Sequence, residues 1–332
     1  MEMRTLGSSG VHVSALCLGT MTFGNEADEA TSRAIVDRFL DAGGNFVDTA
    51  DVYQRGEAEA ITGRALSGPR RDGVILATKG RVAMGDGPND SGASRRYLTR
   101  AVEASLRRLG TDWIDLYQVH WPDPDTPLEE TLSTLDDLVT AGKIRYAGLS
   151  NFTGSDLQRA FLQCERYGWA PIVSHQPQYS LIYREIEQET LPLCRTNRVA
   201  VLPWSPLGGG VLTGKYRGAT EVPADTRMGR SEAQASRQLS EHNLTVAGQV
   251  TGLAAEIGRT PAQVALNWVL HRPGVTSPIL GVRNLAQLED NLGAEGWALE
   301  PDQLKALDRA SRKPLPYPFN MYRMFGIGEG SR

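Results

Sequence analysis

The sequence predicts an α/β chain closed into a (β/α)8 barrel, with an N-terminal β-hairpin and extra helices at the C-terminal end. Three observations predict it. Short apolar runs alternate with segments of helical period, in eight units. The runs are apolar on both faces, as parallel strands covered by helices require. The 332 residues also contain no linker-like stretch that would divide them, and a barrel of about 250 residues or more folds as one unit. Residues 1–332 are therefore expected to form a single domain. An open doubly wound sheet would need a G-x-G-x-x-G turn after its first strand, which Gly19-Thr20-Met21-Thr22-Phe23-Gly24 does not supply.

The elements follow in order. Residues 3–15 read as a hairpin turning at Ser9-Gly10, laid across the barrel bottom. Strands are expected at 16–19, 46–49, 74–79, 115–120, 146–150, 172–176, 199–203 and 277–280. Helices are expected at 28–42, 57–66, 94–109, 128–141, 155–167 and 186–197, with two more before the last strand. A long irregular insertion is read at about 206–240. Helices at 285–292 and 301–311 close the pattern, and the Pro- and Gly-containing segment from 314 to 332 reads as an extended tail.

Composition excludes several classes. With 35 Lys+Arg against 39 Asp+Glu, no excess of positive charge points to a nucleic acid or a membrane surface. Cys17, Cys164 and Cys194 are odd in number and show no C-x-x-C, which argues against a disulfide framework or a zinc site and fits a reducing cytosol. No stretch has the 18 or so apolar residues of a membrane span, and residues 1–7 lack a secretory signal pattern. A cytoplasmic protein is expected.

In a barrel of this kind chemistry sits where strands end. Reading those ends gives Asp48, Lys79, His120, Ser150 with Asn151, Gln176, and Trp204 with Ser205; Tyr53 lies in the loop after the second strand. A barrel needs none of these for stability, and four titratable groups on three neighbouring strands indicate a site.

The chain resembles the aldo-keto reductases from about Met3 to Asn291. The resemblance rests on separate motifs in the family's order: residues 45–53 (NFVDTADVY), 77–79 (ATK), 115–120 (DLYQVH), 148–152 (GLSNF), 176–179 (QPQY) and 204–207 (WSPL). It implies a catalytic tetrad of Asp48, Tyr53, Lys79 and His120. Hydride addition builds charge on a carbonyl oxygen that must then receive a proton. A phenol near pKa 10 is a poor acid at neutral pH, and Lys79 would stabilise its phenolate. Asp48 would hold Lys79 charged, and His120 would hydrogen-bond the substrate oxygen together with Tyr53.

The resemblance also implies a nicotinamide cofactor, NADPH with NADH as the alternative. Ser150, Asn151 and Gln176 would meet the carboxamide, Tyr179 would stack on the ring, and Gly19, Thr20, Met21 and Asp48 would border it. Trp204, Ser205, Pro206, Leu207, Gly209, Gly210 and Lys215 would line the pyrophosphate, met by backbone N–H groups and the Lys215 cation. Gly209 to Lys215 also satisfies G-x-x-x-x-G-K, but Tyr216 stands where a triphosphate loop needs Ser or Thr for magnesium. Many family members carry Lys-Ser where this chain has Gly281-Val282. Arg283 is the expected replacement toward the 2′-phosphate, with Gln287 and Asn291 one helical turn apart for the adenine.

Met21, Phe23, Trp121, Tyr183 and the 206–240 insertion are the expected walls of a pocket for a neutral aldehyde or ketone, with keto sugars and nucleotide-linked deoxysugars among the candidates. The aromatic tail at 317–325 is expected to cover this pocket or to mediate oligomer contacts. Metal ligands are not expected. The alternative reading is a regulatory subunit that binds NADPH without turning over, as the auxiliary subunits of potassium channels do.

Overall fold

The computed structural model describes residues 1–216, 229, 235, 236 and 238–327. Most of the expected insertion lies outside the described residues. Strand β1 (Met3–Thr5) pairs antiparallel with β2 (His12–Ser14), and eight further strands all pair in parallel. They are β3 (Cys17–Gly19), β4 (Phe46–Asp48), β5 (Ile75–Gly80), β6 (Ile114–Val119), β7 (Ile144–Ser150), β8 (Ile172–Gln176), β9 (Ala200–Val201) and β10 (Ile279–Gly281). The order β10-β3-β4-β5-β6-β7-β8-β9 is chain order, with the last strand beside the first. The N–H groups of Thr276 and Ile279 donate to the carbonyls of Val201 (2.9 Å) and Pro203 (2.8 Å), which brings the two edges together and closes the barrel.

The helices form because their apolar residues recur at helical spacing, and several have a side chain capping the first turn. Helix α1 (Glu29–Asp41) is capped by Asp28, α3 (Arg95–Leu109) by Ser94 and α5 (Gly154–Tyr167) by Thr153; α2 (Glu57–Ala65) and α4 (Leu128–Thr140) lie between them. One expected helix, 186–197, is divided: Glu185–Glu187 forms a single 3-10 turn and α6 spans Thr190–Thr196. Helices α7 (Glu241–Glu256), α8 (Pro261–Leu270), α9 (Leu285–Leu292) and α10 (Pro301–Ala310) complete the outer layer. The tail is not simply extended, since Phe319–Met324 forms a short helix, α11. No helix among the described residues is long and apolar enough to cross a membrane.

Three cores result. Inside the barrel, Cys17, Phe46, Ala77, Leu116, Val173, Ala200 and Ile279 pack with Leu6 and Val13 of the hairpin. The helices pack on the outside of the strands around Phe39, Leu98, Leu135 and Leu157. A further layer gathers Tyr179, Leu212, Tyr216 and Trp268 under α7 and α8.

The hairpin closes the end where the strands begin. Asn45 Oδ1 accepts from the Ser14 N–H at 2.7 Å, and Ser277 Oγ donates to the Ser14 carbonyl at 2.8 Å. Gly7, in the left-handed region at φ 60°, sits so close to β8 that a side chain there would begin 2.2 Å from the Val173 carbonyl oxygen. Only glycine fits that approach. The other end of the barrel is left as the mouth.

Candidate active site

Strand β4 delivers Asp48 and β5 delivers Lys79 to the mouth; Asp48 lies opposite Ala77, so Lys79 is two residues further along, on the same face. Lys79 is fully buried and Asp48 nearly so. Nζ donates to Asp48 Oδ2 at 2.5 Å, to the Thr49 carbonyl at 2.8 Å and to the Tyr53 hydroxyl at 3.4 Å. A buried ammonium is tolerated only when it is paired and hydrogen-bonded in this way. Burial pushes the Lys79 pKa down, but attraction to Asp48 and to the Tyr53 oxygen outweighs it, and the net direction is upward.

The other oxygen of Asp48 accepts from Gln176 Nε2 at 2.9 Å and from Gln118 Nε2 at 3.4 Å, so three donors fix the carboxylate. Neither Gln118 nor Thr49 was expected from sequence. Gln118 lies inside the apolar run of β6, where only an interior-facing polar residue with a buried partner would signal it.

Tyr53 opens a short turn after β4, and the ring of His120 stands edge-on to it, centroids 6.0 Å apart at 81°. Burial, and then the charge of Lys79, push the imidazole down to about 3, so His120 is neutral at ordinary pH. Its Nδ1 is buried without a partner. The indole of Trp121 lies nearly parallel to it, 6.4 Å away and 45% exposed.

At the ends of β7 and β8, Ser150 Oγ donates to the Gln176 carbonyl (2.8 Å) and Asn151 Nδ2 donates to the His120 carbonyl and to Ser150 Oγ (both 3.0 Å). Trp204 Nε1 donates to Asn151 Oδ1 at 2.9 Å. Asn151 and Ser205 both hold left-handed φ, 64° and 55°, a region that Asn tolerates and Ser seldom adopts.

Two expected site residues are elsewhere. Tyr179 is not open at the mouth. Its ring has no exposed surface and packs on Trp268, and its hydroxyl donates to Glu187 Oε1 at 2.6 Å. No flat ligand can stack there without displacing the core. Phe23 is likewise fully buried, because the chain turns back on itself and pairs Phe23 with Ala27. Met21, two residues earlier, is 39% exposed. Gly19 and Thr20 are buried, with the Thr20 N–H on the Asp48 carbonyl at 2.9 Å.

The glycine loop also differs in detail. The N–H groups of Gly208, Gly209 and Gly210 are taken by Ser205 and Leu207, so they are not offered to a pyrophosphate. Lys215 lies across the turn instead. Gly210 has φ 92°, and a side chain there would begin 2.8 Å from Lys215 Nζ. Pro206 is buried and Leu207 half-buried beside them.

At the last strand end Gly281 is exposed, with open space where a side chain would begin. The Arg283 N–H donates to Gln287 Oε1 at 3.0 Å, and its guanidinium Nη1 is 3.9 Å from Glu26 Oε1. Asn291 is buried on the next turn of α9. An open glycine, a lysine over a glycine turn and an arginine thus border one side of the mouth. This arrangement fits an anionic dinucleotide better than a neutral ligand.

A groove of about 760 Å³ lies between the tail and the 184–189 loop, lined by Arg184, Glu187, Pro314, Phe319 and Tyr322. The tail therefore borders that groove, which no member of the tetrad lines, and Tyr183 lies under the Lys313 ammonium, 5.5 Å from it.

Comparison with known proteins identifies the family. The model of the aldo/keto reductase family matches residues 15–312. The chain is 40% identical over 318 residues to the uncharacterized oxidoreductase YrpG of Bacillus subtilis, covering 93% of this chain and 95% of that one. It is 36% identical over 300 residues to a probable voltage-gated potassium channel subunit beta of Oryza sativa (89% and 91%). It is 35% identical over 326 residues to the aldo-keto reductase YhdN of Bacillus subtilis (96% of each). This chain, with its buried lysine between a carboxylate and a phenol at the mouth of a parallel barrel, belongs to the aldo/keto reductase family and is an NAD(P)H-dependent oxidoreductase.

Proposed function

We propose that the protein reduces an aldehyde or ketone to an alcohol with NADPH, Tyr53 giving the proton. The observation that carries this reading is the position of Lys79 Nζ, buried between Asp48 Oδ2 and the Tyr53 hydroxyl. A bound nicotinamide supplies the hydride. Tyr53 gives its hydroxyl proton to the substrate oxygen, and Lys79 stabilises the phenolate left behind. Asp48 keeps Lys79 charged in a dry site, and Gln118 and Gln176 keep Asp48 in place. Neutral His120 donates one N–H to the substrate oxygen, so two donors meet the developing charge.

Toward the cofactor, Ser150, Asn151 and Gln176 form a chain of hydroxyl and amide groups that a carboxamide can join by exchanging one bond. Trp204, half-buried and held by Asn151, takes the stacking role first expected of Tyr179. Lys215 meets the pyrophosphate and Arg283 the 2′-phosphate. Met21 and Trp121 are the apolar walls next to Tyr53 and His120, which suits a neutral carbonyl compound, keto sugars included.

The test is single-turnover reduction by bound NADPH across a panel of aldehydes, ketones and nucleotide-linked keto sugars. Reduction that survives Tyr53→Phe unchanged would remove Tyr53 as the acid. The rice relative supports a second reading, a regulatory subunit that binds NADPH. Tight NADPH binding with no turnover of any panel member would favour it.

A further inference from the structure

Glu26 belongs to neither the tetrad nor the expected cofactor residues, yet it faces one of them across the ends of the chain. It sits in a tight turn after β3. The Gly24 N–H donates to the Ala27 carbonyl (2.9 Å), and the N–H groups of Ala27 (3.0 Å) and Asn25 (3.3 Å) donate to the Thr22 carbonyl. The same turn is tied to the last strand end, where Thr22 Oγ1 donates to the Val282 carbonyl at 2.6 Å. This bond fixes the turn beside the residue that follows, Arg283. Glu26 Oε1 lies 3.9 Å from Arg283 Nη1, and the two side chains are only 19% and 27% exposed.

A carboxylate and a guanidinium at one ribose position have opposite preferences. A guanidinium favours a 2′-phosphate, and a carboxylate accepts a hydrogen bond from a free 2′-hydroxyl while repelling the phosphate. Resting on the reading that Arg283 faces the adenosine ribose, we infer that Glu26 is a specificity-determining residue that weakens the preference for NADPH and admits NADH. To bind NADPH, Arg283 exchanges the Glu26 carboxylate for the 2′-phosphate, and the carboxylate remains as a like charge nearby. To bind NADH, Arg283 keeps Glu26, and Glu26 Oε accepts from the 2′-hydroxyl. The Thr22–Val282 bond keeps the turn that carries Glu26 beside Arg283.

The experiment is titration of NADPH and of NADH by quenching of protein fluorescence, in wild type, Glu26→Gln, Arg283→Ala and the double variant, with thermal melts to confirm folding. Glu26→Gln should tighten NADPH by about 3-fold, the size of a partly exposed ion pair. It should loosen NADH by about 2–5-fold, because Gln keeps an acceptor oxygen and loses only the added strength of a charged one. Arg283→Ala should weaken NADPH selectively. If it does so while Glu26→Gln leaves the ratio of the two dissociation constants unchanged, the inference about Glu26 is wrong and the placement of Arg283 stands. If Arg283→Ala affects both cofactors equally or neither, the placement of Arg283 itself fails.

Discussion

Lys79 Nζ reaches the Tyr53 hydroxyl at 3.4 Å while holding Asp48 Oδ2 at 2.5 Å, so one buried charge serves a carboxylate and a phenol together. Tyr53→Phe removes one oxygen and keeps the ring. It should cost at least about 10²–10³ in the rate of hydride transfer, the usual loss for one such donor. Lys79→Met should cost a similar factor, and the double variant little more, because both act on one proton transfer. Losses that multiply in single-turnover measurements would separate the two residues.

His120 is held down to about 3 by burial and by Lys79. Its charge therefore does not change between pH 5.5 and 8, and kcat/KM for a carbonyl substrate should show no acid limb belonging to this residue. An acid limb near pH 6.5 in wild type that disappears in His120→Gln would show that the imidazole titrates during catalysis.

Trp204 and Tyr179 should separate cleanly. Trp204→Ala loses a stacking face, worth about 0.5–1.5 kcal/mol beyond buried area, so NADPH should bind several-fold to about tenfold more weakly. Tyr179→Phe should leave the dissociation constant unchanged and lower stability by about 1–2 kcal/mol through the lost bond to Glu187. Titrations and urea melts read both quantities, and the reverse pattern would restore Tyr179 to the mouth.

Asp51 supplies a stability test. It is buried, and burial, then the charge of Glu59, push its carboxyl up to about 8 from 3.8 against the weaker opposing pull of Arg108 and the Val52 N–H. A raised carboxyl pKa gives stability that is complete below about pH 4 and lost as pH rises through 8. Asp51→Asn cannot ionise. It should match wild type near pH 4 and exceed it by about 2–4 kcal/mol at pH 8. A difference that does not grow with pH would mean that Asp51 is ionised in the folded protein.

That Asp48, Lys79 and His120 stand at or beside strand ends is legible from the apolar runs, whereas Tyr53, in the turn after β4, is reached only through the family resemblance. Tyr179 was misread because Gln176-Pro177-Gln178-Tyr179 reads as one strand end. Its direction is set by Trp268 on α8, far along the chain, where no local pattern shows the contact. Phe23 was misread because the turn that buries it depends on Ala27 and on the packing of the helices, not on its own neighbours. Gln118 and Thr49 act through a backbone carbonyl and an amide inside runs that read as core. The pairing of Glu26 with Arg283 joins the first strand end to the last, and such a closure exists only once the barrel does.

The hairpin has a practical consequence for handling the protein. Met1 and the strands that follow it lie at the sealed base, with Gly7 against Val173 and Ser14 against Asn45. A tether attached ahead of Met1 would hold the molecule by its floor. Immobilised that way on a bead or electrode, every copy would present its opening outward, and dissolved reactants would reach Tyr53 as freely as in solution.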